Sequence, residues 1–200
     1  KYFGREARGF WIPECAYRPG YNWKSPVEDK APYPRLGVDE ILGQEGIGYF
    51  FVDAHLLKGG EAKGVYLDRF PGLKLLWEKF KGSYKPTDEL PHDPYSSYLA
   101  YPSHVPFFAR DDVSGSQVWS RNMGYPGDGA YLEFHKKHFP GGMRYWRITS
   151  SDADLGLKEP YDPARTLERM EEHAGHFVSV IEETLKGKTS GSVVALYDTE

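Results

Sequence analysis

The chain has 200 residues with 25 basic and 29 acidic side chains, and its formal net charge of −4 argues against nucleic acids and anionic membranes as partners. No apolar run approaches the roughly 18 residues of a membrane-spanning helix. The single cysteine, Cys15, excludes a disulfide within the chain and fits a reducing, cytoplasmic compartment.

Short apolar segments alternate with helical patterns along the chain. Apolar runs that end in polar residues predict strands, and apolar residues at helical spacing predict helices. In chain order we predict strands over 9–12, 47–55, 104–111 and 192–200, and helices over 35–46, within 65–82, over 128–139 and over 163–186. This alternation predicts an α/β fold with a parallel sheet, either a barrel or a doubly wound sheet.

Ionisable side chains follow the ends of the predicted strands. They are Glu14, Asp53 with His55, Arg110 with Asp111, and Asp198. In parallel α/β folds the catalytic groups lie at the carboxyl ends of strands, so we expect these side chains to converge on one site. A buried carboxylate without a partner is costly, and Glu14 is therefore expected to point into that site.

Two of these carboxylates, Glu14 and Asp198, could face each other across a substrate. Glycoside hydrolysis uses such a pair, about 5–5.5 Å apart when one carboxylate is a nucleophile and farther apart when a water must fit between them. Their positions in the sequence do not by themselves separate a catalytic pair from acids that merely end strands.

Aromatic residues are abundant, with 15 Tyr, 11 Phe and 5 Trp, and many lie in the Pro/Gly-rich stretches 17–26 and 93–108, where we expect loops. Trp119 lies in a further segment, punctuated by glycines, that also reads as a loop. Aromatic faces on ordered loops suit the C–H face of a sugar ring, but they also pack long loops against a fold. The expected substrate-binding residues are Tyr17, Trp23, Asp53, His55, Tyr66, Arg110 and Trp119.

Cysteine and histidine side chains allow other readings. Cys15 could act as a thiolate nucleophile with a histidine partner, or fill space as a small buried residue, which we favour. His173 and His176 lie three residues apart on the last predicted helix and could bind a metal or face solvent. Asp53 and His55 could also bind a metal, although we favour hydrogen bonds to sugar hydroxyls.

Four segments together resemble glycoside hydrolase family 57, in the spelling typical of its α-1,4-glucan branching enzymes. They are "WIPECAY" (11–17), "GIGYFFVDAH" (46–55), "QVWS…GYPGD" (117–128) and "ALYDTE" (195–200), in this order. The resemblance implies Glu14 as catalytic nucleophile and Asp198 as general acid/base. It also implies an incomplete seven-stranded β/α barrel, truncated at both ends, with residues 1–200 as a central fragment of one catalytic domain.

The activity implied by the resemblance is a retaining transglycosylase, which needs no metal or organic cofactor. It would cleave α-1,4 linkages of amylose or glycogen-like α-glucans through a covalent glycosyl-enzyme and form α-1,6 branches. An α-amylase or a 4-α-glucanotransferase of the same family would use the same two carboxylates. Outside this class, a non-catalytic glucan-binding protein would keep the aromatic residues, and a metal-dependent polysaccharide deacetylase would need zinc on Asp53, His55 or the helix histidines.

Residues 57–104 show no long regular period and are expected to form an insertion at the rim of the barrel. Their first part, 57–82, could act as a lid that hinges at its glycines and carries Tyr66 toward the cleft. Such a lid would shelter the glycosyl-enzyme from water, the competing acceptor. The alternative is a packed surface excursion with a helix over 73–80.

Overall fold

The computed structural model of the chain describes residues 4–60, 71–82, 85, 87–150 and 152–197. It consists of two compact units, Lys1–Ala109 and Arg110–Glu200. None of the helices within the described ranges is long and apolar enough to cross a membrane.

The first unit contains most of the strands. In chain order its elements are β1 (Gly9–Trp11), β2 (Tyr21–Trp23), β3 (Tyr33–Arg35), α1 (Val38–Gln44), β4 (Tyr49–Asp53), α2 (Ala54–Lys58), β5 (Gly59–Gly60), α3 (Pro71–Phe80), β6 (Thr87–Glu89), β7 (Ser97–Leu99) and β8 (Pro106–Arg110), whose last residue opens the second unit. The predicted strands that begin at 9, 47 and 104, and the predicted helices over 35–46 and within 65–82, are confirmed. The second strand was predicted too long, because it ends at Asp53 and residues 54–55 belong to α2.

A mixed four-stranded sheet in the order β1-β4-β8-β7 forms the frame of this unit. β1 runs parallel to β4, and the chain crosses between them through α1. β7 pairs antiparallel with β8, so the expectation of an all-parallel sheet is wrong at this edge. The reason is a tight connection: Ala100 N donates to Val105 O at 3.0 Å, which closes a hairpin inside the stretch 93–108 that we expected to be loop.

The core of the first unit lies on the sheet and is apolar. Its buried residues are Ile12, Leu42, Phe50, Val52, Leu57, Ala100, Val105 and Ala109. Four stacked rings run through it, which we call the aromatic ladder: Tyr17, Phe50, Phe107 and Tyr98, with successive centroids 5.6 to 5.8 Å apart. Stacked aromatic pairs stabilise a fold by about 0.5–1.5 kcal/mol each beyond their buried area.

The second unit is built around two helices, α4 (Asp112–Trp119) and α5 (Pro163–Leu185). The Asp162 side chain accepts from Ala164 N at 3.0 Å and caps α5, while Pro163 occupies the first turn, where its missing N–H is harmless. Gly187, with φ of 74°, follows the helix end. The helix predicted over 163–186 is confirmed.

Two predicted elements of the second unit are wrong. Residues 128–139 form turns and a bridge rather than a helix, because Glu133 N donates to Trp146 O and Ile148 N donates to Tyr131 O, both at 2.8 Å. These longer-range bonds override the local helical pattern. Within 192–197 no strand is present, although Asp111 N donates to Val194 O at 2.9 Å.

A buried ion pair joins the irregular part of this unit. Lys158 Nζ lies 3.1 Å from Glu133 Oε2, with both side chains almost fully enclosed. Lys158 also donates to Ile148 O at 2.6 Å, and His135 N donates to Glu133 Oε1 at 2.9 Å. Burial raises the pKa of Glu133, but the hydrogen bonds from His135 and Lys158 outweigh burial, so that the pKa falls from 4.5 to about 2.

This pair predicts how stability depends on acid. The folded pKa of Glu133 is about 2 and lies below its ordinary value of 4.5. The contribution of the ionised Glu133 to the free energy of unfolding is therefore complete above pH 4.5 and is lost as the pH falls toward 2. The lowered pKa corresponds to a contribution of about 3 kcal/mol to the free energy of unfolding. Denaturant unfolding of Glu133→Gln should therefore show a shallower fall of unfolding free energy over this pH range than the unchanged protein.

The matched control is Glu183→Gln, because Glu183 pairs with Lys186 on the exposed face of α5. This variant should lose stability in acid as the unchanged protein does. If the unfolding free energy of Glu133→Gln fell as steeply in acid as that of the unchanged protein, the buried pair would not be the cause of the loss of stability at low pH.

Candidate functional site

Glu14 lies in a tight turn immediately after β1. The turn, Pro13–Cys15, is a single 3-10 turn closed by Cys15 N donating to Ile12 O at 2.8 Å and by Ala16 N donating to Pro13 O at 3.1 Å. Glu14 and Cys15 both have a left-handed backbone, with φ of 54° and 50°. Non-glycine residues rarely adopt this conformation, and where they do the surroundings must hold them there. The turn leaves the Glu14 side chain exposed.

Cys15 anchors the same turn from inside. Its side chain is buried, and the indole N–H of Trp11 donates to its Sγ at 3.3 Å. This surrounding matches that of a small apolar core residue.

Tyr17 follows the turn and is fixed at both ends of its side chain. Its ring stacks on Phe50, and its hydroxyl donates to Asp39 Oδ1 at 3.2 Å. Burial, followed by the charge of Asp39, raises the pKa of Tyr17 to about 12. Asp39 is 1% exposed, and its second oxygen has no hydrogen-bond partner among the described residues. Sequence reasoning missed Asp39, because an acid in the first turn of a helix usually reads as a solvated dipole partner.

Asp53 and His55 lie beside the Glu14 turn along the sheet. In the parallel register Trp11 pairs with Phe51, so Glu14, just after β1, and Asp53, the last residue of β4, lie at the carboxyl ends of neighbouring strands. His55 sits in α2, where its Nδ1 lies 3.9 Å from Asp53 Oδ2 and its ring is largely exposed. The structure thus places two carboxylates and an imidazole at this edge of the first unit.

Trp23 belongs to a separate hairpin of the first unit. β2 and β3 pair antiparallel, with Trp23 opposite Tyr33 and the two rings in edge contact at 5.5 Å. The Arg35 guanidinium lies over the Trp23 ring at 5.7 Å. The expected loop over 17–26 is therefore wrong for Tyr21–Trp23, since a cross-strand aromatic pair outweighs the nearby proline and glycine.

Arg110, Asp111 and Trp119 lie at the start of the second unit. Arg110 ends β8, and the buried Asp111 caps α4 by accepting from Ser114 N at 2.6 Å. Trp119 ends α4 rather than lying in a loop, and this Asp cap was the sequence signal for the helix. The Trp119 ring is 45% exposed, and its indole N–H donates to Leu196 O at 3.4 Å.

A polar cluster ties the loop after α4 to α5. Arg169 donates to Asp128 through two nitrogens at 2.6 and 3.0 Å, and the Tyr131 hydroxyl lies 2.6 Å from His173 Nδ1. The Tyr125 ring stacks on His173 at 4.4 Å. Burial, and then the Arg169 charge, hold the pKa of His173 below its ordinary value. Within the described residues no group of three or more His, Cys, Asp or Glu side chains is placed to hold a metal ion.

Two of the predicted residues, Asp198 and Tyr66, lie outside the described residues, as does the central part of the predicted lid, 61–70. The flanking parts of that segment are α2 with β5 on one side and α3 on the other.

The chain is similar to known proteins over its whole length. The model of glycosyl hydrolase family 57 matches residues 1–191. The chain is 43% identical to a 1,4-alpha-glucan branching enzyme of Thermococcus kodakarensis over 205 aligned positions, which cover 100% of this chain and 28% of that enzyme. The chain thus spans less than a third of the length of this relative.

Solved structures of related enzymes are also similar to this chain. A GH57-type branching enzyme from Pyrococcus horikoshii matches with a TM-score of 0.71 and 39% identity, covering 99% of this chain and 32% of that one. The alpha-amylase AmyC from Thermotoga maritima matches with a TM-score of 0.59 and 27% identity, covering 98% of this chain and 34% of that one. The chain shares its α/β architecture, a mixed sheet with helices, with these enzymes.

Proposed function

The chain belongs to glycosyl hydrolase family 57, and from this membership we propose that it forms part of the catalytic region of an α-glucan branching enzyme. The observation that carries the proposal is the 43% identity with a branching enzyme, which extends over the whole chain. The substrate would be an α-1,4-glucan such as amylose or a glycogen-like chain, and the product would carry α-1,6 branches.

We propose Glu14 as the nucleophile and Asp198 as the general acid/base. Glu14 attacks the anomeric carbon while Asp198 protonates the leaving glycosidic oxygen, which gives a covalent glycosyl-enzyme with inverted configuration. The second displacement inverts the carbon again, so the overall reaction retains the configuration. Asp198 then takes the proton of an acceptor 6-hydroxyl, which attacks to form the branch. The exposed Glu14 carboxylate in its left-handed turn supports the first role. The segment "ALYDTE" supports the second.

The proposed framework is a seven-stranded β/α barrel of which this chain supplies a part. The parallel pair β1 and β4, connected through α1, supports it as a β/α crossover unit. Residues 57–104 would be an insertion at the rim, with 57–82 as a lid that excludes water from the glycosyl-enzyme. The branching reaction requires no metal or organic cofactor, and we propose a cytoplasmic location.

We also propose contacts between individual side chains and the substrate. Trp119 offers an exposed ring face to a sugar, and Asp53, His55, Arg110 and Trp23 offer polar or aromatic groups. Tyr66 would contact substrate from the lid. The Tyr17 hydroxyl already donates to Asp39, so any contact of Tyr17 with substrate would come from its ring.

The second candidate is an α-amylase, which the match with AmyC favours. An amylase, like a 4-α-glucanotransferase, would use the same two carboxylates but a different acceptor. Iodine staining of amylose followed by debranching analysis separates these activities from branching, because only a branching enzyme forms α-1,6 branches.

The first test is Glu14→Gln in the full-length enzyme. The amide cannot act as a nucleophile, so kcat should fall by about a thousandfold or more while glucan binding stays largely intact. Glu28→Gln is the control, because Glu28 is an exposed glutamate paired with Lys30 in the β2–β3 connection. Retention of more than about a tenth of wild-type activity in Glu14→Gln would refute the assignment.

A second test separates sugar stacking from packing at Trp119. Trp119→Ala should weaken glucan binding by about three- to tenfold with little change in Tm. Trp119→Phe keeps an aromatic face but removes the N–H that donates to Leu196 O, and it should retain most of the binding. A fall of Tm by many degrees without any change in binding would instead identify Trp119 as a packing residue.

A third test addresses the lid. Tyr66→Ala should raise the ratio of reducing ends released to branches formed, because water reaches the glycosyl-enzyme more easily. The measurement compares both products from the same amylose digest. An unchanged ratio with both rates intact would leave 57–82 as a packed surface excursion.

A further inference from the structure

The position of the Glu14 carboxylate depends on its backbone. The side chain is exposed, and no hydrogen bond or ion pair joins it to another described residue. Two successive left-handed residues, Glu14 and Cys15, therefore set its direction. Such a backbone is higher in energy by about 1–3 kcal/mol per residue and persists only when neighbouring contacts hold it.

Contacts on both sides hold this turn. Before it, β1 is fixed by its register with β4, and Trp11 donates to the Cys15 thiol. After it, the chain is fixed at Tyr17 and Arg18. Tyr17 N donates to Cys15 O at 2.7 Å, so a shift of Tyr17 moves the turn directly.

Both the ring and the hydroxyl of Tyr17 make contacts that fix its position. Its ring is the end member of the aromatic ladder, stacked on the buried Phe50 at 5.7 Å with an interplanar angle of 20°. Its hydroxyl donates to Asp39, and Val38 N donates to Arg18 O at 3.0 Å. The backbone after Tyr17 thus docks on the first turn of α1.

Close backbone packing supports the same docking. A Cβ on Gly37, the residue before α1, would lie 2.8 Å from Gly20 N and would also meet the Asp39 carboxylate. Only a glycine fits at this approach. The segment 17–20 therefore lies against the start of α1 without room to shift.

Asp39 is the unusual member of this contact. It is 1% exposed, and its Oδ2 has no hydrogen-bond partner among the described residues. Burying a carboxylate oxygen without a hydrogen-bond partner is destabilising, which sets Asp39 apart from an ordinary, solvated acid at a helix start. A carboxylate there provides a strong, directional acceptor for the Tyr17 hydroxyl.

We infer that Tyr17 and Asp39 are positioning residues that hold the Glu14 turn in the geometry required for attack on the anomeric carbon. The inference rests on the proposed role of Glu14 as nucleophile. Neither residue needs to touch substrate, because both act through the backbone of the turn. Misplacing a reacting group by about 1 Å can lower a rate by about a hundredfold.

The kinetic test is Tyr17→Phe in the full-length enzyme. This change removes the hydroxyl and keeps the ring in the ladder, and it should lower kcat by about ten- to a hundredfold with KM within about twofold of wild type. The matched control is Tyr98→Phe, because Tyr98 lies in the same ladder and its hydroxyl donates to Asp93 O at 2.8 Å. The control should keep the wild-type kcat.

Variants of Asp39 test the other half of the contact. Asp39→Asn keeps an oxygen that can accept from Tyr17 and should retain kcat within about threefold, whereas Asp39→Ala should lose as much as Tyr17→Phe. The double variant should lose no more than either single variant, because the two changes break one interaction. Losses that simply add would overturn the pairing.

A labelling experiment reads the turn without using activity. Cys15 is buried beneath the turn, so its alkylation by iodoacetamide, followed by peptide mass spectrometry, reports opening of the turn. Tyr17→Phe should raise the Cys15 labelling rate by about fivefold or more, and Tyr98→Phe should not. If the wild-type enzyme lacks activity on α-glucan, the proposed function fails, and the labelling rates still decide whether Tyr17 anchors the turn.

Three results would overturn the inference in an active enzyme. The first is an unchanged kcat and labelling rate in Tyr17→Phe. The second is a lower Tm with kcat unchanged at a temperature where the variant is folded, which indicates a purely structural role. The third is a raised KM with kcat unchanged, which indicates a substrate contact instead.

Discussion

The left-handed backbone at Glu14 and Cys15 is the constraint on which the candidate site depends. It ends β1, turns one side chain outward and buries the next within two residues. Without it, a glutamate at the end of an apolar strand would either enter the core or continue along the sheet edge. The parallel register with β4 then fixes where this turn lies, because Trp11 pairs with Phe51.

Each of the two units is stabilised internally by a different kind of interaction. In the first, a mainly apolar core and the aromatic ladder support the sheet, and these interactions respond little to pH. In the second, Glu133 with Lys158 and Asp128 with Arg169 join irregular segments to each other and to α5. Acid should therefore weaken the second unit first, since its contacts need ionised carboxylates.

The sequence predicted elements whose pattern is local. The strands β1, β4 and β8 and the helix α5 have apolar periods and end signals that neighbours along the chain decide. The turn residue Glu14 was also singled out from the sequence, because a carboxylate at the end of an apolar run is rare enough to notice. The resemblance to the family was also recognised from the sequence, because its four short segments are likewise rare enough to notice.

The features that the sequence did not predict depend on contacts between residues far apart in the chain. Residues 128–139 have a helical pattern, yet their backbone bonds go to 146–149, which no local rule indicates. α4 was missed because Ser114 and Gly115 are poor helix formers, and their burial, which favours the helix, is visible only in the fold. Asp39 looks like an ordinary helix-start acid until the structure encloses it.

Two glutamates of this chain show why the proposed nucleophile is positioned through its backbone. Glu133 accepts hydrogen bonds from His135 and faces Lys158, and its pKa falls to about 2. A carboxylate so stabilised is well oriented but a weak nucleophile, since its electron pairs are already engaged. Glu14 has no such partners among the described residues. Its orientation must then come from the turn, and the turn is held by contacts such as that of Tyr17 with Asp39, which do not involve the Glu14 carboxylate oxygens.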